Sequence, residues 1–165
     1  MARSHNEPAV TLSLVDRLID EEPGNSREAP LSRSQSVRHH KAALQRDLEW
    51  LLNSRRIPDE PDDSFEETNS SVYVYGLPDF SSMSMSAPRD KQTLQRVLRE
   101  TLRFFEPRLA NVRIIPLESD DKTKRTQRFR IEGMLLMDPA PEHISFDTVL
   151  RLSSGEYEIT GAANA

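Results

Sequence analysis

Between residues 90 and 117 the hydrophobic period of this chain changes abruptly, and that change limits the folds open to it. Leu94, Val97, Leu98, Thr101, Leu102 and Phe105 recur at three- and four-residue spacing, the pattern of one apolar helix face over residues 90–105. Pro107 has no N–H and disfavours α geometry at the residue before it, so this helix stops at or near Glu106. Residues 112–117 then read as a strand. Residues 127–137 alternate, with Phe129, Ile131, Gly133, Leu135 and Met137 on one side and Arg128, Arg130, Glu132, Met134 and Leu136 on the other. A helix running straight into period-two segments marks an α+β domain.

The break itself, Phe104-Phe105-Glu106-Pro107-Arg108-Leu109, places an acid, a rigid residue and an arginine at the tip of a packed support. The planar guanidinium of Arg108 keeps its charge and suits bidentate capture of a carboxylate or of carbonyl groups. Two readings stand: Glu106 and Arg108 satisfy groups of their own domain, or they face a partner.

The spacing of Val37, Leu44, Leu48, Leu51 and Leu52 predicts a first long helix over residues 36–55, with Trp50 near its apolar edge. Ser36 would be its N-cap, Arg55 and Arg56 would sit at the negative end of its dipole, and Pro58 would stop it. Residues 59–67, rich in Asp and Glu, read as a mobile acidic connector; a carboxylate metal site would need a calcium-loop spacing or a histidine that this segment lacks. Residues 71–75 read as a short strand, with Val72 and Val74 on one face and Tyr73 and Tyr75 on the other, closed by the turn Gly76-Leu77-Pro78-Asp79. Met83 and Met85 read as packing residues, and Pro88 suits the start of the second long helix.

Residues 144–152 and 156–160 complete an antiparallel meander with residues 127–137. A terminal strand with free edge groups accepts another chain by main-chain hydrogen bonds, unless its own domain covers it. The organisation expected is a flexible N-terminal arm (1–35), one small α+β domain with two long helices and an antiparallel sheet (36–160), and a short flexible tail (161–165). Within the arm, Leu12, Leu14, Val15, Leu18 and Ile19 form an apolar patch fit to dock as one or two helical turns, on its own domain or on a partner.

A net charge of -5 argues against a general nucleic-acid footprint. Arg113, Lys122, Lys124, Arg125, Arg128 and Arg130 cluster around one turn, diluted by Glu118, Asp120 and Asp121, as a solvated hairpin or an electrostatic docking surface. The chain has no cysteine, hence no disulfide or thiolate chemistry, which fits a reducing cytoplasm. No apolar run is long enough to insert in a membrane, and the N-terminus lacks a signal-peptide core, so a soluble intracellular protein is expected.

Glu106 is the obvious candidate general acid, but glycoside hydrolysis needs a second carboxylate across the sugar. Neither Glu118, Glu132 nor Asp138 sits in a motif that would supply it. His39 and His40 diverge around their helix, and His5 and His143 lie apart, so no metal spacing arises. No glycine-rich phosphate loop is present, and no cofactor or metal is expected.

Three segments, Leu14-Val15-Asp16-Arg17-Leu18, Tyr75-Gly76-Leu77-Pro78-Asp79 and Phe105-Glu106-Pro107-Arg108-Leu109, in that order resemble the TssE family over roughly residues 10–160. These are baseplate wedge subunits of type VI secretion, similar to a small wedge protein of contractile phage tails. The resemblance implies a small α+β fold and a non-enzymatic place in a cytoplasmic, membrane-docked baseplate. It implies TssF and TssG as wedge partners, TssB and TssC as sheath neighbours and TssK as a candidate further partner. It assigns a wedge contact to Glu106, Pro107 and Arg108. It assigns an interlocking strand element, the template for sheath growth, to Ile144, Phe146, Thr148 and Leu150 of one strand and Glu156, Tyr157 and Ile159 of the next. A lysozyme label carried by some relatives makes a peptidoglycan hydrolase one alternative; a regulatory adaptor of related fold is another.

Overall fold

The computed structural model describes residues 9–19, 23–24, 31–59, 61–80, 83, 87–117, 126–151 and 154–162. Its helices are α1 (Leu14–Leu18), α2 (Arg33–Asn53), α3 (Glu66–Asn69) and α4 (Pro88–Phe105), with one 3-10 turn at Val72–Val74. The strands β1 (Leu109–Leu117), β2 (Thr126–Leu135), β3 (Glu142–Arg151) and β4 (Glu156–Ala162) form one antiparallel sheet in chain order. The expected α+β class, two long helices and meander are all present, and the segment after Pro107 joins the meander as its first strand.

Register explains the core. Pairing sets Ile114 beside Ile131 and Phe146, and Phe129 beside Thr148 and Ile159, so the buried apolar residues of all four strands fall on one face. Leu44, Leu48, Leu51 and Leu52 of α2 and Leu94, Leu98 and Leu102 of α4 close on that face. Full burial of each such leucine stabilises the fold by about 1.5–3 kcal/mol, which holds two otherwise polar helices to the sheet. The opposite face is polar and carries the cross-strand ion pairs Arg130–Asp147 (2.7 Å) and Arg151–Glu158 (2.8 Å).

Local chemistry corrects several expectations. Ser32, not Ser36, caps α2: its hydroxyl accepts from the Gln35 N–H (3.3 Å) while Gln35 Oε1 accepts from the Ser32 N–H (2.9 Å). Ser36 lies buried in the first turn, donating to the Arg33 carbonyl (2.8 Å) and accepting from the Val10 N–H (2.9 Å), which ties the arm to the domain. The helix ends at Asn53 because Ser54 turns extended and its hydroxyl bonds the Trp50 carbonyl (2.7 Å). Arg55 and Arg56 therefore lie beyond the helix; Arg55 pairs with Asp79 (2.9 Å) and Arg56 donates to the Val74 carbonyl (3.1 Å).

Residues 71–75 are not a strand. Among the described residues no strand pairs with them, and the Ser71 hydroxyl accepts from the Tyr73 N–H (3.1 Å), winding Val72–Val74 into a 3-10 turn. Val74 is buried and Val72 exposed, although alternation would put them together. Gly76, at φ +100, then lets Leu77 bond back to Ser54 (2.9 Å) and Arg56 to Leu77 (2.9 Å). The acidic connector carries the one-turn helix α3. Met83 packs against the core as expected. Glu60, Met85, the lysines and Arg125 of the basic turn, and about half of the arm (1–8, 20–22 and 25–30) lie outside the described residues.

The two sheet edges differ. Along β4, Asn53 of α2 accepts from the Tyr157 N–H (2.9 Å) and donates to the Tyr157 carbonyl (3.0 Å), while Gln45 donates to the Ile159 carbonyl (3.0 Å). These side-chain amides stand where a neighbouring strand's peptide groups would, so the domain covers its own terminal strand.

Candidate functional site

Helix α4 ends on Glu106, whose N–H still bonds the Leu102 carbonyl (2.9 Å), and Leu109 opens β1 three residues later by donating to the Glu106 carbonyl (3.0 Å). Pro107 holds Glu106 out of helical geometry (φ -124, ψ 73) and stands exposed at the turn's tip. Arg108 folds back onto the turn. Its Nε donates to Glu106 Oε1 (2.6 Å), and its Nη2 to Glu106 Oε2 (2.6 Å) and Asp47 Oδ2 (2.6 Å). The Glu106 side chain is only 6% exposed and that of Arg108 23%.

The chain of charges continues away from the turn. Arg46 donates to Asp47 Oδ1 from Nε (3.0 Å) and Nη2 (2.8 Å), and from Nη2 to Asp16 Oδ1 of α1 (2.8 Å). It also lies 5.1 Å over the Trp50 ring. Five alternating charges, Glu106, Arg108, Asp47, Arg46 and Asp16, thus join the α4–β1 link, α2 and the N-terminal arm. The bond to Glu106 is the main reason the Arg108 guanidinium holds its proton more tightly than usual. At Asp16 burial pushes the carboxyl up, but Ser13 and Arg46 together hold it below the ordinary range. Burial, with Asp47 and Glu106 nearby, raises the Tyr75 hydroxyl. The Tyr75 ring packs edge-on against Phe105 at 5.2 Å.

His40 lies buried beside this network, its ring facing the Leu136 backbone without a well-formed hydrogen bond. Burial first and the positive Arg108 second lower its pKa, against opposing pulls from Asp16, the Leu136 backbone and Glu106, so the ring is neutral at neutral pH. The unfolded chain binds a proton near the ordinary value of about 6.5 that the folded chain refuses. Stability is therefore complete above that value and is lost as pH falls through it toward the depressed folded pKa. Urea midpoints should drop more between about pH 7.5 and about pH 5.5 for the intact protein than for His40→Leu. Equal drops would mean that another group carries the acid sensitivity.

The strand residues singled out in the sequence lie elsewhere. Ile144, Phe146, Thr148 and Leu150 on β3, and Tyr157 and Ile159 on β4, are buried against the helices, while Glu156 is exposed at the start of β4. The Thr148 and Tyr157 hydroxyls have no hydrogen-bond partner in the core. These six side chains belong to the core and do not face another chain. The arm's apolar patch forms α1, with Leu14, Val15, Leu18 and Ile19 exposed and Asp16 turned to Arg46.

Sequence reasoning missed Asp47, Arg46, His40, Asn53 and Gln45. Asp47 lies beside the apolar stripe of α2, but its partner Arg108 is 61 positions away, and no spacing rule spans that separation. Among the described residues no group of three or more His, Asp or Glu could hold a metal ion. No described helix is long and apolar enough to cross a membrane.

A family model described as baseplate wedge protein gp25 matches residues 38–140, from the first turns of α2 to the link between β2 and β3, with the Glu-Pro-Arg turn inside the match. No curated protein and no solved structure matches the chain.

Proposed function

Because the chain belongs to the baseplate wedge protein gp25 family, matched over more than half of its length, we propose that it is a structural, non-enzymatic part of a type VI secretion baseplate. In this reading it docks on TssF and TssG in the wedge, with TssK as a further neighbour, and starts the TssB–TssC sheath above. The assembly lies in the cytoplasm at the membrane.

One observation carries the wedge contact. Glu106 and Asp47 clamp Arg108 from two sides, so Pro107 is presented outward on a turn that is rigid before any partner arrives. Preorganisation of this kind lowers the entropy cost of docking. Arg108 Nη1 has no partner among the described residues and is the donor left for a wedge subunit. The sheath contact falls to the sheet that Ile144, Phe146, Thr148, Leu150, Glu156, Tyr157 and Ile159 build, acting through its edge backbone rather than through their side chains. A hydrolase reading would need Glu106 to face a sugar, yet one guanidinium occupies both its oxygens and the side chain is almost wholly buried.

Co-elution with a TssF–TssG complex tests the assignment. The intact protein should co-elute, and Arg108→Lys, which keeps the charge but not the planar fork, should remain folded by its melt while binding about tenfold more weakly. Failure of the intact chain to co-elute would favour the adaptor reading.

A further inference from the structure

Register identifies which main-chain groups each sheet edge offers. In an antiparallel ladder both backbone groups of a residue point to the same side. The Tyr157 N–H and carbonyl both turn to Asn53, away from β3. Counting inward through the pairs Tyr157–Leu150 and Ile159–Thr148, the groups of Thr148 turn toward β2, and those of its partner Phe129 turn toward β3. Pro116, opposite Phe129, and Ile114, opposite Ile131, therefore turn their backbone groups outward from the sheet. The bond from the Leu136 N–H to the Arg108 carbonyl (2.8 Å) keeps the same parity at the other end of β2.

The outer edge of β1 thus presents the Ile114 N–H and carbonyl and the Pro116 carbonyl, and no described residue bonds them. The outer edge of β4 is plugged at Tyr157 and Ile159. Beside the β1 edge a small indentation lies under α4, where Leu94, Leu98, Ile114, Pro116 and Phe129 meet Lys91, Gln95 and Gln127. On the other face of β1, Arg113 is exposed, with Glu132 across the ladder from it. The edge therefore has a small, mainly apolar surface with Lys91 on one side, and Arg113 opposite Glu132 on the other.

We propose that the outer edge of β1, not that of β4, receives the incoming strand, and that it selects an extended partner segment whose residues facing α4 are apolar. The proposal rests on the sheath-templating reading above and names the edge that would serve it. Main-chain bonds at Ile114 and Pro116 give affinity, while the apolar surface under α4 selects the side chains that face it. Pro116 lacks the donor that a second copy's carbonyl would need, which discourages edge-to-edge pairing of this chain with itself.

Amide hydrogen exchange on the full-length protein, alone and with the purified TssB–TssC pair, tests this. In the free protein the Ile114 amide should exchange faster than that of Ile115, which faces β2. Adding the sheath pair should slow Ile114 about tenfold or more and leave Tyr157 unchanged. Slowing confined to Tyr157 and its neighbours would overturn the edge assignment and keep the templating reading; bound sheath protein with neither edge slowed would overturn both. Pro116→Val, which restores the missing donor, should tighten capture of the sheath pair about two- to tenfold. Unchanged capture with an unchanged melt would count against the β1 edge.

Discussion

Arg108→Ala should lower the unfolding free energy by about 3–5 kcal/mol, because it strands a buried carboxylate rather than trimming a surface contact. Glu106 accepts from Arg108 through both oxygens, and its side chain is 6% exposed, so the change leaves a largely buried carboxylate without its cation. Asp47 loses a bond in the same change, although its contact with Arg46 remains. Urea unfolding followed by circular dichroism reads the effect. Removing both members of the pair, as in Glu106→Leu with Arg108→Met, should recover much of the loss, since no charge is then left buried. A loss below about 1 kcal/mol for Arg108→Ala would show the pair to be solvated, as exposed ion pairs are. The result bears on function: weak wedge binding by Arg108→Ala reports a lost contact only if the variant's melt is first shown to be intact, and the structure expects it not to be.

Gly76→Ala should cost about 2–4 kcal/mol and is the second large effect expected. At φ +100 an L side chain is strained wherever it sits, and here an added Cβ would also collide with the Ser54 carbonyl. That carbonyl cannot move freely, because it accepts from the Leu77 N–H at 2.9 Å and so joins the end of α2 to the segment that buries Leu77. Relief of the clash would break this bond and expose Leu77. Thermal melts of Gly76→Ala and Gly155→Ala make a useful comparison. Gly155 also has positive φ (+70), but its added Cβ would meet the end of the Arg55 side chain, which is half exposed and can swing aside. Equal losses at the two sites would mean that strain at positive φ, and not the Ser54 clash, sets the cost.

Much of the fold was legible because short-range patterns decide it. The leucine spacing of α2 and α4, the alternation in β2 and the proline stop at Pro107 each depend on neighbours within a turn or a strand, and each matches the structure. Residues 71–75 failed for the complementary reason. Val72-Tyr73-Val74-Tyr75 has strand composition, but a strand needs a partner, and the Ser71 cap turned the chain before one could be reached. Ser36 likewise looked like a cap; Ser32 with Gln35 closed a reciprocal box that a lone serine cannot match.

At the candidate site the sequence determined the parts: an acid and an arginine around a proline, on an amphipathic support, beside a chain with no cysteine and no phosphate loop. It left open whether Glu106 and Arg108 face inward or outward, and only the tertiary structure decided that. Their orientation depends on Asp47 of α2 standing within 2.6 Å of Arg108, and Asp47 in turn on Arg46 and Asp16. The same holds for β4, whose edge the sequence leaves either free or covered, and which Asn53 and Gln45 cover from a helix more than 100 residues earlier. Periodicity reports how a segment relates to its nearest neighbours in the chain, whereas a buried charge or an open sheet edge depends on which distant segment packs beside it.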